Sequence, residues 1–558
     1  MFHVEHKYIW IMSQPYYLTG QIVDIHNERI FPGTLFVKDG IIKSIQELEQ
    51  AEGPYILPGF VDSHIHIESS MLTPQHFALE AVKHGIVATV SDPHEIANVL
   101  GENGIQAMLE DSRKSPFKFF YGVPSCVPAT PFETSGAVLD SQIVHRLLGQ
   151  KEFYYLAEMM NFPGVIQKDP EVMKKLESAR YYQKPVDGHI PGVQGDDLTA
   201  YIQAGISTDH EVGDYQEAVE KIRKGMMVQI REGSAAKDFD NLFMLIDEYP
   251  DQVMLCSDDK HPDDLIQGHI NKLIERGLQN GLNLFNLLRA AVLNPVMHYN
   301  LPVGLLREND PADFILIDSL DHLAVKETYI NGNSVYQQNK GPLFHVAAGS
   351  YPNIMEAQPV TVQDLKIPYK DHPVKVIQAQ DRSLLTDVRE VHINAFDNVI
   401  VSDPEQDILK IVVLNRYKKQ PPAVGLIQNF GLNQGAIATS VAHDSHNIIC
   451  VGADDESIAQ AINQVIEMGG GNVVVTPDET EGLPLEFGGL MTCRPASEVA
   501  QQYTRLTSLT QKLGCSLMAP FMTLAFMALP VIPKLKITDQ GLFDVNQFAY
   551  TDLFVYKG

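Results

Sequence analysis

Basic residues are scarce in this chain: 42 Lys and Arg stand against 70 Asp and Glu among 558 residues, a formal charge of −28. Nucleic acids and anionic membranes select for basic patches, so the balance argues against both as partners. Cysteine is scarcer still. Cys126, Cys256, Cys450, Cys493 and Cys515 are odd in number, widely spread and form no CxxC pair. Neither a disulfide framework nor a thiolate zinc site is expected from them. Long apolar runs are missing as well. The longest, Leu517 to Ile532, is broken by Pro520 and Pro530 and is too short to span a bilayer, so it reads as buried core. The opening MFHVEHKYIWIM has no cationic segment leading into an apolar stretch, so no signal peptide is expected, and Met12 is the more natural start. These absences together point to a soluble cytoplasmic protein.

With 44% hydrophobic and 20% charged residues, the composition is that of a globular protein, and the length calls for more than one domain. Residues 16–57 alternate apolar and polar positions between Gly and Asn turns, the pattern of short antiparallel strands. A similar stretch recurs at 303–336, and the two flanking segments are expected to close into one split β-sandwich. Between them run short apolar β-type segments separated by helix-like stretches. They are ILPGFVDSHIHI (56–67), GIVATVSDP (85–93), FKFFYGVP (117–124), FYYLAEMM (153–160), KPVDGHIP (184–191), GISTDHE (205–211), MMVQIREG (226–233) and QVMLCSDD (252–259). Eight alternating units predict a parallel sheet closed into a (β/α)8 TIM-type barrel. The expected division is a composite β domain at 13–57 and 300–345, a barrel at 58–299, and a C-terminal α/β domain at 346–558. In that last domain NIICVGA, DDESIAQAINQVIEM and GGGNVVV read as strand, helix and strand, with Asp454 as N-cap and Gly469–Gly471 as a helix exit. The triple glycine follows the helix rather than opening one, so a structural turn is expected there and not a phosphate cradle.

Polar residues gather at the C-terminal ends of the runs, the face on which barrel active sites sit. His64 and His66 lie two apart on the first run, so both point to the same side of one strand. Alone, HxH is a weak signal. Glu158, His189, His210 and Asp258 then close the fourth, fifth, sixth and eighth runs, delivering one more ligand-type side chain each to the same rim. Imidazoles and carboxylates in that number suit a pair of divalent ions, manganese, iron or zinc, bridged by a carboxylate.

The order HxH, Glu, His, His, Asp on such a barrel resembles the amidohydrolase superfamily. More narrowly, LPGFVDSHIHIESSMLTP, VSDPHEIANVLG, DGHIPG, STDHE, REGSAAKD and CSDDKHPDD resemble the bacterial adenine deaminases. NFGLNQGAIATSVAHDSHNIICVGADD and GGLMTCRPASEVA are similar to the third domain of that family. The resemblance implies hydrolysis of adenine to hypoxanthine and ammonia at a binuclear Mn2+ or Fe2+ centre, with Zn2+ also compatible. It implies one metal on His64 and His66, the other on His189 and His210, and Glu158 bridging where many relatives carry a carboxylated lysine. It further implies that Asp258 touches a metal and acts as general base, with Asp259 as its rival because adjacent strand residues face opposite ways.

Deamination at C6 also needs a donor near the ring nitrogens. The candidates are His94 and Glu95 after the second run and Glu211 after the sixth; Glu211 either positions His210 or meets substrate, and His94 competes with a loop-structural role. Arg231 either binds substrate or balances local carboxylates. His443, Asp444, His446 and Asn447 form a polar cluster read either as pocket lining or as a hydrogen-bonded turn. One departure stands out: before the FGL motif the family carries an acidic–Arg–His triplet, and this chain has Asn415-Arg416-Tyr417. The single-zinc base deaminases use a PCxxC motif that is missing here, so deamination, if it occurs, falls to the barrel site. The acidic balance favours a free base over a polynucleotide, and a homo-oligomer, a dimer, is expected. The alternatives are a cyclic amidohydrolase or N-acyl deacetylase on the same metal set, and a non-catalytic barrel scaffold.

Overall fold

The computed structural model describes residues 14–556 apart from 235, 348 and 394, so the start at Met12 and the first residue of the expected β domain lie outside the described residues. The chain opens with β1 (Tyr16–Asp24), β2 (Arg29–Lys38), β3 (Ile41–Glu47) and β4 (Tyr55–Pro58). Each of the eight apolar runs then contributes a strand. They are β5 (Phe60–Ile65), β6 (Ile86–Ser91), β7 (Lys118–Val123), β8 (Phe153–Met159), β9 (Val186–Gly188), β10 (Thr208–Asp209), β11 (Met227–Arg231) and β12 (Val253–Cys256).

β5 to β9 pair in parallel in chain order, and so do β10 to β12. Ser207 N–H to Val186 O at 2.9 Å joins the two groups. At the far seam Ile65 bridges Asp258 in parallel, and Asp258 N–H reaches His64 O at 3.0 Å. The ring is closed. Helices return the chain between strands, and their limits follow local chemistry. In Tyr215–Arg223 the Asp214 carboxylate caps Gln216 N and Glu217 N, while Ala218, Val219 and Ile222 face the sheet. Gly225, at φ 94°, provides the left-handed exit that a side chain would resist.

After the barrel come β13 (Phe314–Ile317), β14 (Val325–Ile330), β15 (Asn333–Gln337) and β16 (Gly341–Pro342). β13 pairs antiparallel with β4 in the register Phe314–Pro58, so the two flanking segments form one eight-stranded sheet. The split sandwich therefore takes the form of a single continuous sheet on its own core of Ile22, Leu35, Val37, Ile56 and Phe314.

A second eight-stranded sheet builds the C-terminal part, with Leu409–Leu414, Ile448–Gly452, Ala436–Thr439 and Gly471–Val475 at its centre. The strand–helix–strand unit is present. Asp454 caps Asp455–Glu467 through Ser457 N, and Gly469 leaves the helix at φ 75°. That helix buries Ile458, Ile462 and Val465 on one sheet face against Val412, Ala438 and Cys450. Ile411, Val413, Ile449 and Val474 belong instead to the core that includes the barrel strands. Helix Ala496–Lys512 and the apolar run around Pro520–Ala525 join the same core, so the run near 517–532 is buried as its composition demands. Among the described residues no helix is long and apolar enough to cross a membrane.

Candidate metal centre and active site

The barrel rim assembles the ligand-type side chains predicted to meet there. His64 and His66 leave the end of β5 on the same side, with Nε2 atoms 3.2 Å apart. Glu158, from the end of β8, lies between two groups of imidazoles. Its Oε1 is 3.3 Å from His66 Nε2, and its Oε2 is 2.7 Å from His189 Nδ1 and 3.3 Å from His210 Nε2. Asp258, two residues past β12, is turned into the rim by a left-handed backbone (φ 53°). Its Oδ1 stands 3.3 Å from His66 Nε2 and 3.7 Å from His64 Nε2. The ring of His210 stacks on that of His64 at 4.0 Å.

Every one of these side chains is buried. Nitrogen facing nitrogen at hydrogen-bond distance can share only one proton, so the arrangement wants a cation among the lone pairs. Donor atoms of His64, His210 and Asp258 lie within 4.8 Å of one another, as do those of Glu158, His189 and His210. Four imidazoles and two carboxylates with no thiolate form the donor set of a hard or borderline divalent metal. The residues fit the binuclear centre that the resemblance implies. Burial alone would raise the Glu158 carboxyl, but the imidazoles of His210, His189 and His66 hold it well below the usual range. Asp258 is likewise held well down against burial, by His66, His210 and Arg231. Asp259 goes the other way: burial and the charge of Asp258 push it up.

His94, Glu95, Glu211, Arg231, Asp259, His443 and Asp444 border the same cavity, and the predicted His446 and Asn447 do not line it. His94 opens helix His94–Leu100 with Nδ1 3.1 Å from Asp92 Oδ2 and 3.5 Å from Glu158 Oε1. Asp92, missed in the sequence, is the carboxylate that orients it. Glu95 accepts from His443 Nδ1 at 2.6 Å and also faces His446 Nε2, which ties the barrel to the C-terminal part. Asp259 accepts from Ser69 Oγ at 2.5 Å. Arg231 is committed to acids: its Nη2 is 2.9 Å from Glu211 Oε2, its Nε 2.8 Å from Asp238, its Nη1 3.0 Å from Asp258 Oδ2, and Nη1 also meets Glu211 Oε1. Glu211 thus binds Arg231, while His210 Nδ1 has no hydrogen-bond partner among the described residues.

The C-terminal part supplies one side of the cavity: Leu384, His443, Asp444, Phe526, Leu529 and Ile532. Hydropathy marks Phe526, Leu529 and Ile532 as interior without separating a core position from a pocket wall. The Asn415-Arg416-Tyr417 departure lies behind this wall. Arg416 is fully buried and holds Ile354 O and Asn353 Oδ1, its N–H donates to Asn447 Oδ1 at 3.1 Å, and Tyr417 Oη donates to Ser445 O at 2.5 Å. The triplet braces the 443–447 loop from outside the cavity.

Sequence comparisons agree with this architecture. The amidohydrolase family matches residues 55–335, and the adenine deaminase C-terminal domain matches residues 383–549. A protein of Methanosarcina barkeri named adenine deaminase is 54% identical over 545 residues, covering 96% of this chain and 98% of its own. One of Salinibacter ruber with the same name is 49% identical over 546 residues, covering 98% and 100%. One of Borreliella burgdorferi is 43% identical over 544 residues, covering 96% and 99%. Matched by the family domain across the barrel and by these relatives almost end to end, the chain belongs to the amidohydrolase family and, within it, to the adenine deaminases.

Proposed function

We propose that this chain hydrolyses adenine to hypoxanthine and ammonia, in purine salvage or catabolism. The observation that carries the reading is that one cavity joins five of the rim ligands, His66, Glu158, His189, His210 and Asp258, to a slot walled by Met160, Phe526, Leu529 and Ile532, with His64 directly behind His66. A flat aromatic base fits between such apolar walls with its reacting carbon toward the polar end. His64, His66, Glu158, His189, His210 and Asp258 would hold a pair of divalent ions, with Glu158 shared between them. Such a pair, when bound, makes water a nucleophile at neutral pH and stabilises charge developing at the attacked centre. Manganese or iron suits the donors, and zinc is compatible.

Asp258 serves as the base. It is held ionised at the rim, takes the proton of the attacking water and delivers a proton to the departing amino group. Asp259, hydrogen-bonded to Ser69 and pushed toward its protonated form, is less suited to accept a proton and better suited to hold the substrate. His94, oriented by Asp92, offers an N–H to the ring, and Glu95 borders it. Glu211 acts by fixing Arg231 against Asp258.

The test couples metal analysis to ammonia release from adenine, guanine, adenosine and cytosine. About two ions per chain and selective release from adenine are expected. Asp258→Asn should lower turnover by roughly 10³-fold or more while largely retaining metal. Normal turnover by that variant removes Asp258 from the role of base. Ring opening of a cyclic amide or acetate release, with no ammonia from adenine, overturns the reaction itself.

A further inference from the structure

Adenine and its nucleosides share the six-membered ring on which deamination occurs and differ at the other edge, where the free base has an imidazole-ring N–H and the nucleoside has a sugar. With C6 directed at the rim ligands, that edge must face the opposite side of the cavity. We propose that Asp444 reads the free base there by accepting the purine's imidazole-ring N–H. The inference rests on the adenine reading above and deepens it.

Position is the first argument. Asp444 lines the same cavity as the rim ligands and is 3% exposed. The His94 ring stands between it and the bridging carboxylate: His94 Nδ1 is 3.5 Å from Glu158 Oε1, and His94 Nε2 is 3.9 Å from Asp444 Oδ1. The span from the reacting end to Asp444 is therefore one aromatic ring plus a contact on either side, which suits a bicyclic base.

The second argument is what the carboxylate lacks. Asp444 Oδ2 is buried without a hydrogen-bond partner. A buried acceptor left unpaired is costly, so natural proteins rarely keep one without a use. The residues around it are tied down through other atoms, although His443 Nε2 and, apart from its ion pair with Glu95, His446 Nε2 also lack a hydrogen-bond partner among the described residues. His443 Nδ1 meets Glu95 Oε1 at 2.6 Å, Ser445 O accepts from Tyr417 Oη, and Asn447 Nδ2 donates to Thr134 O at 2.9 Å. The loop is pinned on both sides of Asp444, whose Oδ2 is its one unpaired carboxylate oxygen among the described residues. The third argument is the wall: Phe526 stacks on His443 with centroids 4.4 Å apart and planes at 16°, and continues into Leu529 and Ile532 along the cavity. This apolar surface excludes water from the edge that Asp444 reads. A ligand without the N–H must bury that carboxylate unpaired, and sites built to hydrogen-bond a group reject analogues that lack it far more strongly than hydrophobic pockets reject a methylene.

The experiment measures kcat/KM for ammonia release from adenine and 9-methyladenine, using the metal-loaded enzyme, Asp444→Ala and Asp444→Asn. The wild type should favour adenine by about 10²-fold or more. Asp444→Ala should lose most of that preference through KM for adenine, at unchanged metal content, and leave 9-methyladenine nearly unaffected. Asp444→Asn, which keeps a neutral acceptor, should fall between. Equal losses on both substrates, or a wild type indifferent to the methyl group, overturns the proposal. If the variants fail to fold, calorimetric binding of hypoxanthine against 9-methylhypoxanthine to the wild type decides, with equal affinities overturning it. Product binding also separates this proposal from the reaction it rests on. Absence of ammonia release with strong preference for hypoxanthine defeats the reaction and keeps the role of Asp444.

Discussion

Arg231 shows how the site's charge is balanced at the scale of a single residue. Its side chain is almost wholly buried and donates to Glu211, Asp238 and Asp258, leaving little of the guanidinium for a substrate. Of the two roles open in the sequence, balancing carboxylates is the one this geometry supports. Burial would disfavour the charge, yet the surrounding carboxylates hold the guanidinium well above its usual pKa. Removing a partner from a buried charge network costs about 3–5 kcal/mol, because the charges left behind lose their compensation. Arg231→Met should therefore lower unfolding stability by about that amount and turnover by more than about 10²-fold. Arg231→Lys should recover part of the stability and little of the activity, since a point charge cannot span three carboxylates as a planar fork does. Denaturant unfolding and steady-state rates check both. A Met variant as stable as the wild type would show that Arg231 does not compensate these acids. The pairing was out of reach of the sequence: Arg231 and Glu211 end adjacent strands, and whether their side chains meet depends on closure of the barrel, not on spacing along the chain.

Elements differ in how openly the sequence declares them. All eight barrel strands are legible, because apolar runs ending in polar residues carry both the sheet and the direction of its functional face. The helix at Asp455–Glu467 is equally plain from its Asp cap and glycine exit. The strand Leu535–Thr538 hides its role, since its Lys536 looks like a surface residue of an edge. Lys536 is in fact fully buried, donating to Leu384 O at 2.9 Å and Phe526 O at 3.0 Å, and it thereby fixes two residues of the cavity wall. Burial lowers its pKa from 10.5 to about 7. The folded chain thus releases this proton at a lower pH than the unfolded chain does. Between about pH 7 and the unfolded value near 10, the unfolded state binds more protons, so this group makes stability rise with pH. Below about 7 its contribution is level. Unfolding free energies of wild type and Lys536→Met, measured from pH 7 to 10, should diverge in favour of the wild type as pH rises. The slope should approach about 1.4 kcal/mol per pH unit at most. Parallel profiles would mean that Lys536 keeps its proton in the fold.

At the scale of the whole molecule, the C-terminal part is a wall of the active site as much as a domain beside it. One face of its sheet buries its own helix, but the other, through Ile411, Val413, Ile449 and Val474, shares a core with the barrel. Polar ties reinforce this apolar seam: Thr492 N–H donates to Met71 O at 2.8 Å, His261 Nδ1 meets Tyr503 Oη at 2.8 Å, and Glu95 holds His443. The barrel face beneath is correspondingly apolar, so removing residues 346–558 would uncover a large patch of a kind that monomeric soluble proteins rarely expose. It would also remove Leu384, Asp444, Phe526, Leu529 and Ile532 from the cavity while leaving all six rim ligands in the remaining chain. Metal binding and substrate handling should then separate. A truncated chain ending at 345, refolded with manganese, should retain measurable metal yet lose adenine turnover by at least about 10³-fold, and should bind hydrophobic dyes strongly. Adding the separate 346–558 segment should restore turnover only if it re-forms the shared core, which a loss of dye binding in step with recovered activity would report. Full activity from the truncated chain alone would place the base-binding wall entirely within the barrel and leave the C-terminal sheet a purely structural role.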